Sequence, residues 1–208
     1  MDLVENKHIQ GITDILINIG ERVEGNLICD IYPTNWTIHD NIDKLKNLQY
    51  LCKNKKKIIE IGVNACHSLL LMLIVNPDAE YLLFDLNRHA YTEPTLNYIK
   101  SQFPNTKFDV FFGDSVQTID KFILDNPDQL NSYDLIHLDG GHSPEVYTED
   151  FNNSRHLITN DGIVIFDDSH HDNIRELINT NIKDNIISEF IDSNITITPF
   201  HFIFKFIF

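Results

Sequence analysis

The residues best placed to do chemistry are carboxylates and histidines lying directly after apolar runs. Leu138-Asp139-Gly140-Gly141-His142-Ser143 follows one such run and Phe166-Asp167-Asp168-Ser169-His170-His171 follows another. Adjacent carboxylates at the end of a buried strand are costly unless paired or metal-bound. If the two runs are neighbouring strands, Asp139, Asp167 and Asp168 converge on one crevice and make an all-oxygen site of the kind Mg2+ prefers. His142, three residues past Asp139, has a pKa range suited to removing a hydroxyl proton. A cation chelating two oxygens of an acceptor would lower the hydroxyl pKa, and His142 would take the proton. His170 and His171 offer an alternative: a two-histidine, one-carboxylate iron site with Asp139 or Asp168, suited to an oxygenase. Neighbours in sequence rarely both face one ion, which counts against it.

A second set of residues suits a cofactor. Ile58–Ser68 reads as a strand running through Gly62 and Asn64 into a helix, the place where a doubly wound fold binds its cofactor. Counting from Gly62, a dinucleotide fingerprint would need small residues where Asn64 and His67 stand, so a dinucleotide-dependent oxidoreductase is disfavoured. A sulfonium cofactor carries no pyrophosphate, and one glycine with an acidic strand end, Glu60, suffices for it. Asp85 ends the second apolar run, where a carboxylate can accept both hydroxyls of a ribose. Asp114 and Ser115 follow the third, where a carboxylate and adjacent amides can hold an adenine edge. Any one of these aspartates alone is as well explained as a turn or helix cap. His67 and His89 stand near the glycine turn and read as lining residues or catalysts with equal ease.

These residues need a scaffold, and the pattern supplies one. Apolar runs at Lys57–Ile61, Glu80–Asp85, Lys107–Phe112, Tyr133–Leu138 and Gly162–Phe166 lack polar alternation and read as buried parallel strands. Helical periodicity over Ser68–Val75, Thr92–Gln102, Ser115–Asn126 and Pro144–Leu157 supplies the crossovers, and a further helix is expected over Asn173–Lys183. Two β-rich runs, Ile187–Ile197 and His201–Phe208, then form a hairpin, the second lying inside the sheet as an antiparallel strand. The expected fold is α/β: a Rossmann-like, doubly wound, mostly parallel seven-stranded sheet with a C-terminal antiparallel hairpin. We divide the chain into an N-terminal cap segment, residues 1–56, with a turn at Tyr32–Trp36, and a domain over residues 57–208.

Bulk properties narrow the function classes. A chain of 208 residues with a formal charge of −15 and a single short basic run, Lys53–Lys57, argues against a nucleic-acid partner. Three scattered cysteines, Cys29, Cys52 and Cys66, argue against a disulfide framework or zinc ribbon. The N-terminus lacks a signal-peptide pattern and no run is long enough to span a membrane, so a cytoplasmic protein with no membrane partner is expected. The apolar C-terminal strand and the N-terminal segment each offer a surface for a homo-oligomer.

The ordered set Ile59–Ser68, Phe84–His89, Gly113–Ser115, Leu138–His142 and Ile165–Asp168 resembles the class I S-adenosylmethionine-dependent methyltransferases over residues 57 to 208. Within them it is most similar to the branch of macrocin- and mycinamicin-type sugar O-methyltransferases. The resemblance implies that Gly62 and Asp85 hold S-adenosylmethionine, with Glu60, Asn64 and Ser68 beside the turn and Asp114 and Ser115 by the adenine. It also implies that Asp139 both touches the cofactor and ligates Mg2+ with Asp167 and Asp168, and that His142 is the base. The acceptor would be a small hydroxylated molecule, a sugar among the candidates. One departure stands out: the family usually has glycine where this chain has Cys66, whose Cβ would crowd the cofactor's amino-acid end or force φ above zero. That departure motivates the competing reading of a methyltransferase-like binding protein without catalysis.

Overall fold

The structure, a computed structural model, describes residues 6–25 and 42–208. Cys29 and the Tyr32–Trp36 turn lie outside the described residues. Five strands, β1 (Lys57–Ile61), β2 (Glu80–Asp85), β3 (Lys107–Phe112), β4 (Tyr133–Leu138) and β5 (Ile158–Asp167), run parallel. β6 (Ile187–Glu189) and β7 (His201–Phe206) complete a seven-stranded sheet in the order β3-β2-β1-β4-β5-β7-β6. β7 pairs antiparallel with both β5 and β6. The expected fold class is the observed one.

Helices cover both faces. On one lie α1 (Lys7–Ile19), α2 (Ile42–Cys52), α3 (His67–Val75) and α4 (Thr92–Gln102), packed through Ile9, Ile12, Leu48, Leu51, Leu69 and Leu96. On the other lie α5 (Ser115–Asp125), α6 (Pro144–Leu157) and α7 (Asp172–Lys183), packed through Ile119, Phe122, Phe151, Ile174 and Ile178. The central strands alternate between the two cores: Ile58, Leu135, Ile163 and Ile165 face the first, and Ile59, Ile136, Val164 and Phe166 the second. That two-sided burial is why these strands read as continuous apolar runs. Among the described residues no helix is long and apolar enough to cross a membrane.

Three expectations need correction. β3 is not a buried strand: it lies at the sheet edge, and Lys107, Asp109, Phe111 and Phe112 are exposed. β5 begins at Ile158 rather than Gly162, because Ile158 pairs with Tyr133 and a register shift absorbs the Asn160–Gly162 stretch. The run Ile187–Ile197 keeps only three residues of strand. Past Phe190 the chain turns, with the Asn194 amide donating to Asp192 Oδ1 at 2.8 Å.

Candidate active site

All the acidic strand ends emerge on one edge of the sheet. The β1–α3 turn needs a glycine: Gly62 has φ 88°, and a Cβ there would overlap the Asp139 carbonyl at the end of β4. Close approach of two parallel strand ends thus decides this residue type. Beyond it the turn passes through Asn64, also left-handed with φ 49°. The Asn64 amide donates to Asp85 Oδ2 at 2.8 Å, and the Asn87 amide donates to Asp85 Oδ1 at 2.7 Å. Two backbone donors therefore fix the Asp85 carboxylate while each oxygen keeps a lone pair for a ligand hydroxyl.

Two cavities meet here. One, of about 460 Å³, is lined by Gly62, Asp85, Leu86, Gly113, Asp114 and Ser115 among others. The second, of about 470 Å³, is lined by Lys44, His67, Ser68, Asp168, His170 and His171 among others. Gly62, Asn64, Asp139, Gly140, His142 and Glu24 line both and form the shared wall. Glu24 and Glu21 reach this rim from the stretch after α1: Glu24 pairs with Arg88 at 3.1 Å and Glu21 with His89 Nδ1 at 2.7 Å.

The expected site residues divide in an informative way. Asp114 lines the first cavity and also caps α5, its Oδ1 accepting from the Val116 amide at 3.1 Å. The capping reading of that aspartate is the observed one, and its place on the cavity leaves it open to a ligand as well. Glu60 lines neither cavity. It is wholly buried on β1 behind the glycine turn, with Oε1 3.1 Å from His137 Nδ1. The direct cofactor contact expected of Glu60 is corrected accordingly.

Asp139, Asp167 and Asp168 do not gather into one group. Asp167 keeps the alternation of β5 and turns toward the α2 face, where it pairs with Lys44 and lies 4.0 Å from His137 Nε2. Asp168 follows with φ 55°, leaves the strand, and sets Oδ2 2.7 Å from His142 Nε2. Among the described residues, donor atoms within 4.8 Å of one another fall into two sets, His137 with Asp139 and Asp167, and His142 with Asp168 and His171. Mg2+ asks for open oxygen donors in an octahedral shell. Here Asp167 already faces an ammonium and Asp168 an imidazole, and each set carries nitrogen ligands, so these residues do not fit Mg2+ as three open carboxylates.

Charge states follow from the same geometry. The hydrogen bond to Asp168 raises the His142 pKa above its usual value, against a smaller opposing effect of burial. Burial works against the Asp168 carboxylate, but His142 and Lys44 outweigh it and hold the carboxyl below the usual range. Burial, reinforced by the neighbouring Asp167, raises Asp139 well above an ordinary carboxyl. For His137 burial opposes the charge, yet the bond to Glu60 and the field of Asp167 push its pKa up to about 8.

Sequence reasoning missed the row that supports this wall. Glu60 and His137 are lateral partners on β1 and β4, as are Asp167 and His201 on β5 and β7. All four are buried. Above Asp167 and His201, α2 presents Lys44, Asn47, Leu48, Leu51 and Cys52 as one buried stripe. Asn47 Nδ2 donates to the Thr196 carbonyl at 2.7 Å and lies 3.0 Å from His201 Nε2. The available signal was parity, since Glu60, His137 and Asp167 occupy the strand phase of apolar residues facing that core.

Cys66 resolves the departure noted in the sequence. Its φ is 64°, so glycine's conformation is kept by a cysteine. The thiol points away from both cavities into the core, with Sγ 3.5 Å from Thr95 Oγ1, and burial raises its pKa. It neither crowds the cavity nor offers a reactive thiolate.

With this geometry in place, comparison with known proteins identifies the family. A family model described as a methyltransferase domain matches residues 59–169. The chain belongs to this methyltransferase family. It is an S-adenosylmethionine-dependent methyltransferase with the class I fold. Among solved structures, the O-methyltransferase TomG from Streptomyces achromogenes, involved in tomaymycin synthesis and solved with SAM, superposes with a TM-score of 0.68 at 14% identity, over 99% of this chain and 92% of that one. The O-methyltransferase from Bacillus cereus in complex with SAH gives 0.67 at 11% identity, over 100% of this chain and 93% of that one. SAH-bound methyltransferase PaMTH1 from Podospora anserina gives 0.65 at 12%, over 97% and 88%.

Proposed function

We propose that this methyltransferase transfers the methyl group to a hydroxyl oxygen of a small polar acceptor, a sugar or sugar-bearing metabolite being the class favoured by the sequence resemblance. The observation that carries the reading is the wall shared by the two cavities, with the His142–Asp168 pair upon it. Gly62, Asn64, Asp85, Asp114 and Ser115 would hold the cofactor in the first cavity, as the neighbours solved with SAM or SAH support. Bound there, S-adenosylmethionine supplies an electrophilic methyl group. The acceptor belongs in the second cavity, beside Ser68 and the histidines.

In this scheme Asp168 holds the His142 Nε2–H, which leaves Nδ1 as the atom that takes the acceptor's proton. The Asp168 carboxylate then stabilises the imidazolium. No step passes through Mg2+, because two of the three expected carboxylate ligands are already engaged, Asp167 by Lys44 and Asp168 by His142. Calorimetric titration with S-adenosylmethionine, with NAD+ as the comparison ligand, tests the assignment. Dissociation constants on the order of micromolar for the sulfonium cofactor, lost in Asp85→Ala, and turnover of a hydroxylated acceptor are expected. Binding of NAD+ instead would return the oxidoreductase reading. Cofactor binding without turnover across a broad panel of sugars and phenols would favour a non-catalytic binding protein.

A further inference from the structure

Lys44 lies on α2, outside the residues the family model matches, yet it enters the reaction site. Its side chain is 10% exposed and pairs with an Asp167 side chain that is 1% exposed. Asp139 and His137 complete the group, their donor atoms and that of Asp167 lying within 4.8 Å of one another. Lys44 also lines the second cavity. A lysine is seldom buried this deeply without a carboxylate, and a carboxylate as buried as Asp167 is seldom left without a cation. Each requirement is met by the other here. The helix cannot easily withdraw the ammonium, because Asn47, one turn on, is tied to Thr196 and packed against His201.

We propose that the Lys44 ammonium, paired with Asp167, is a built-in cation that takes the place of a divalent ion in the His137–Asp139–Asp167 group, so that this group is organised without metal. A dication entering this group would meet a fixed positive charge and an Asp167 carboxylate already compensated by it. The inference rests on the proposed function only in naming the second cavity as the acceptor site. The ammonium would hold Asp167 in place next to Asp139 of the shared wall, acting through that carboxylate rather than on the methyl group itself.

Metal binding gives a readout independent of turnover. After chelator treatment, wild type, Lys44→Ala, Lys44→Met and Lys44→Arg are titrated with Mn2+ and Mg2+, followed by Mn2+ electron paramagnetic resonance and thermal shift, with S-adenosylmethionine binding measured in parallel. Wild type and Lys44→Arg are expected to show no micromolar site that depends on Asp167. Lys44→Ala or Lys44→Met should gain one Mn2+ site at least tenfold tighter, abolished again by adding Asp167→Asn. The double variant Lys44→Met with Asp167→Asn also guards against misfolding, since it removes both charges at once. A micromolar Mn2+ site in the wild type that Asp167→Asn abolishes, or folded Lys44 variants that gain none, would overturn the proposal. Failure of all these proteins to bind S-adenosylmethionine would sink the cofactor assignment instead, leaving the metal result to stand on its own.

Discussion

Replacing Cys66 by glycine separates backbone strain from cofactor crowding. In the structure Cys66 has φ 64° and a thiol wholly buried against Thr95. Glycine relieves a left-handed conformation that costs about 1–2 kcal/mol for an L-residue. Against this stand about 0.5–1 kcal/mol of extra unfolded-state entropy for glycine and about 1–2 kcal/mol for a deleted buried group and the small cavity left behind. The terms nearly cancel, so Cys66→Gly should unfold in urea within about 1 kcal/mol of wild type. Cys66→Ala keeps the strain and loses the thiol, and should be destabilised by about 1 kcal/mol. Because the side chain lines neither cavity, calorimetry should give S-adenosylmethionine affinities within about threefold of wild type for both variants, a difference below about 0.7 kcal/mol. A tenfold or greater gain in affinity for Cys66→Gly would mean that the thiol does crowd the cofactor, and the orientation argument would fail.

Four further outcomes follow from the wall and the buried row behind it. His142→Gln should lower turnover by about 100-fold or more if Nδ1 takes the proton, while cofactor binding stays intact; a near-native rate would leave His142 a purely structural role. In the wild type kcat/KM should fall as pH drops through the His142 pKa, which the Asp168 bond sets above the usual 6.5, and an inflection below that value would argue against the pairing. The sign for stability is the reverse: a raised folded pKa contributes stability that is present below the unfolded value and lost as pH rises through the folded one. His137, raised to about 8, should therefore make urea midpoints decline between about pH 6.5 and 8, and His137→Gln should flatten that slope. Gly62→Ala should lose cofactor binding and stability together, since the added methyl meets the Asp139 backbone and φ is 88°; an unperturbed variant would show that the strand ends can part.

The order of strands and helices was legible in the sequence because each central strand is buried on both faces and α5 and α6 begin at side-chain N-caps, Asp114 and Ser143. Gly62, Asp85, Asn64 and the glycine turn could be named in advance, since a strand end before a helix has few conformations and each demands a residue type. What could not be read was the direction in which side chains leave a strand that is about to end. Asp167 and Asp168 look like a pair in sequence, but strand alternation sends one beneath α2 and a left-handed turn sends the other to His142. Lys44 was invisible for a different reason. A lysine on an otherwise ordinary helix belongs to the solvent unless tertiary packing brings a buried carboxylate to meet it, and that carboxylate lies more than a hundred residues away. The sequence by itself determined which groups could stand at the ends of the strands; only the packing of α2 over β5 and β7 decided which of those charges were already neutralised.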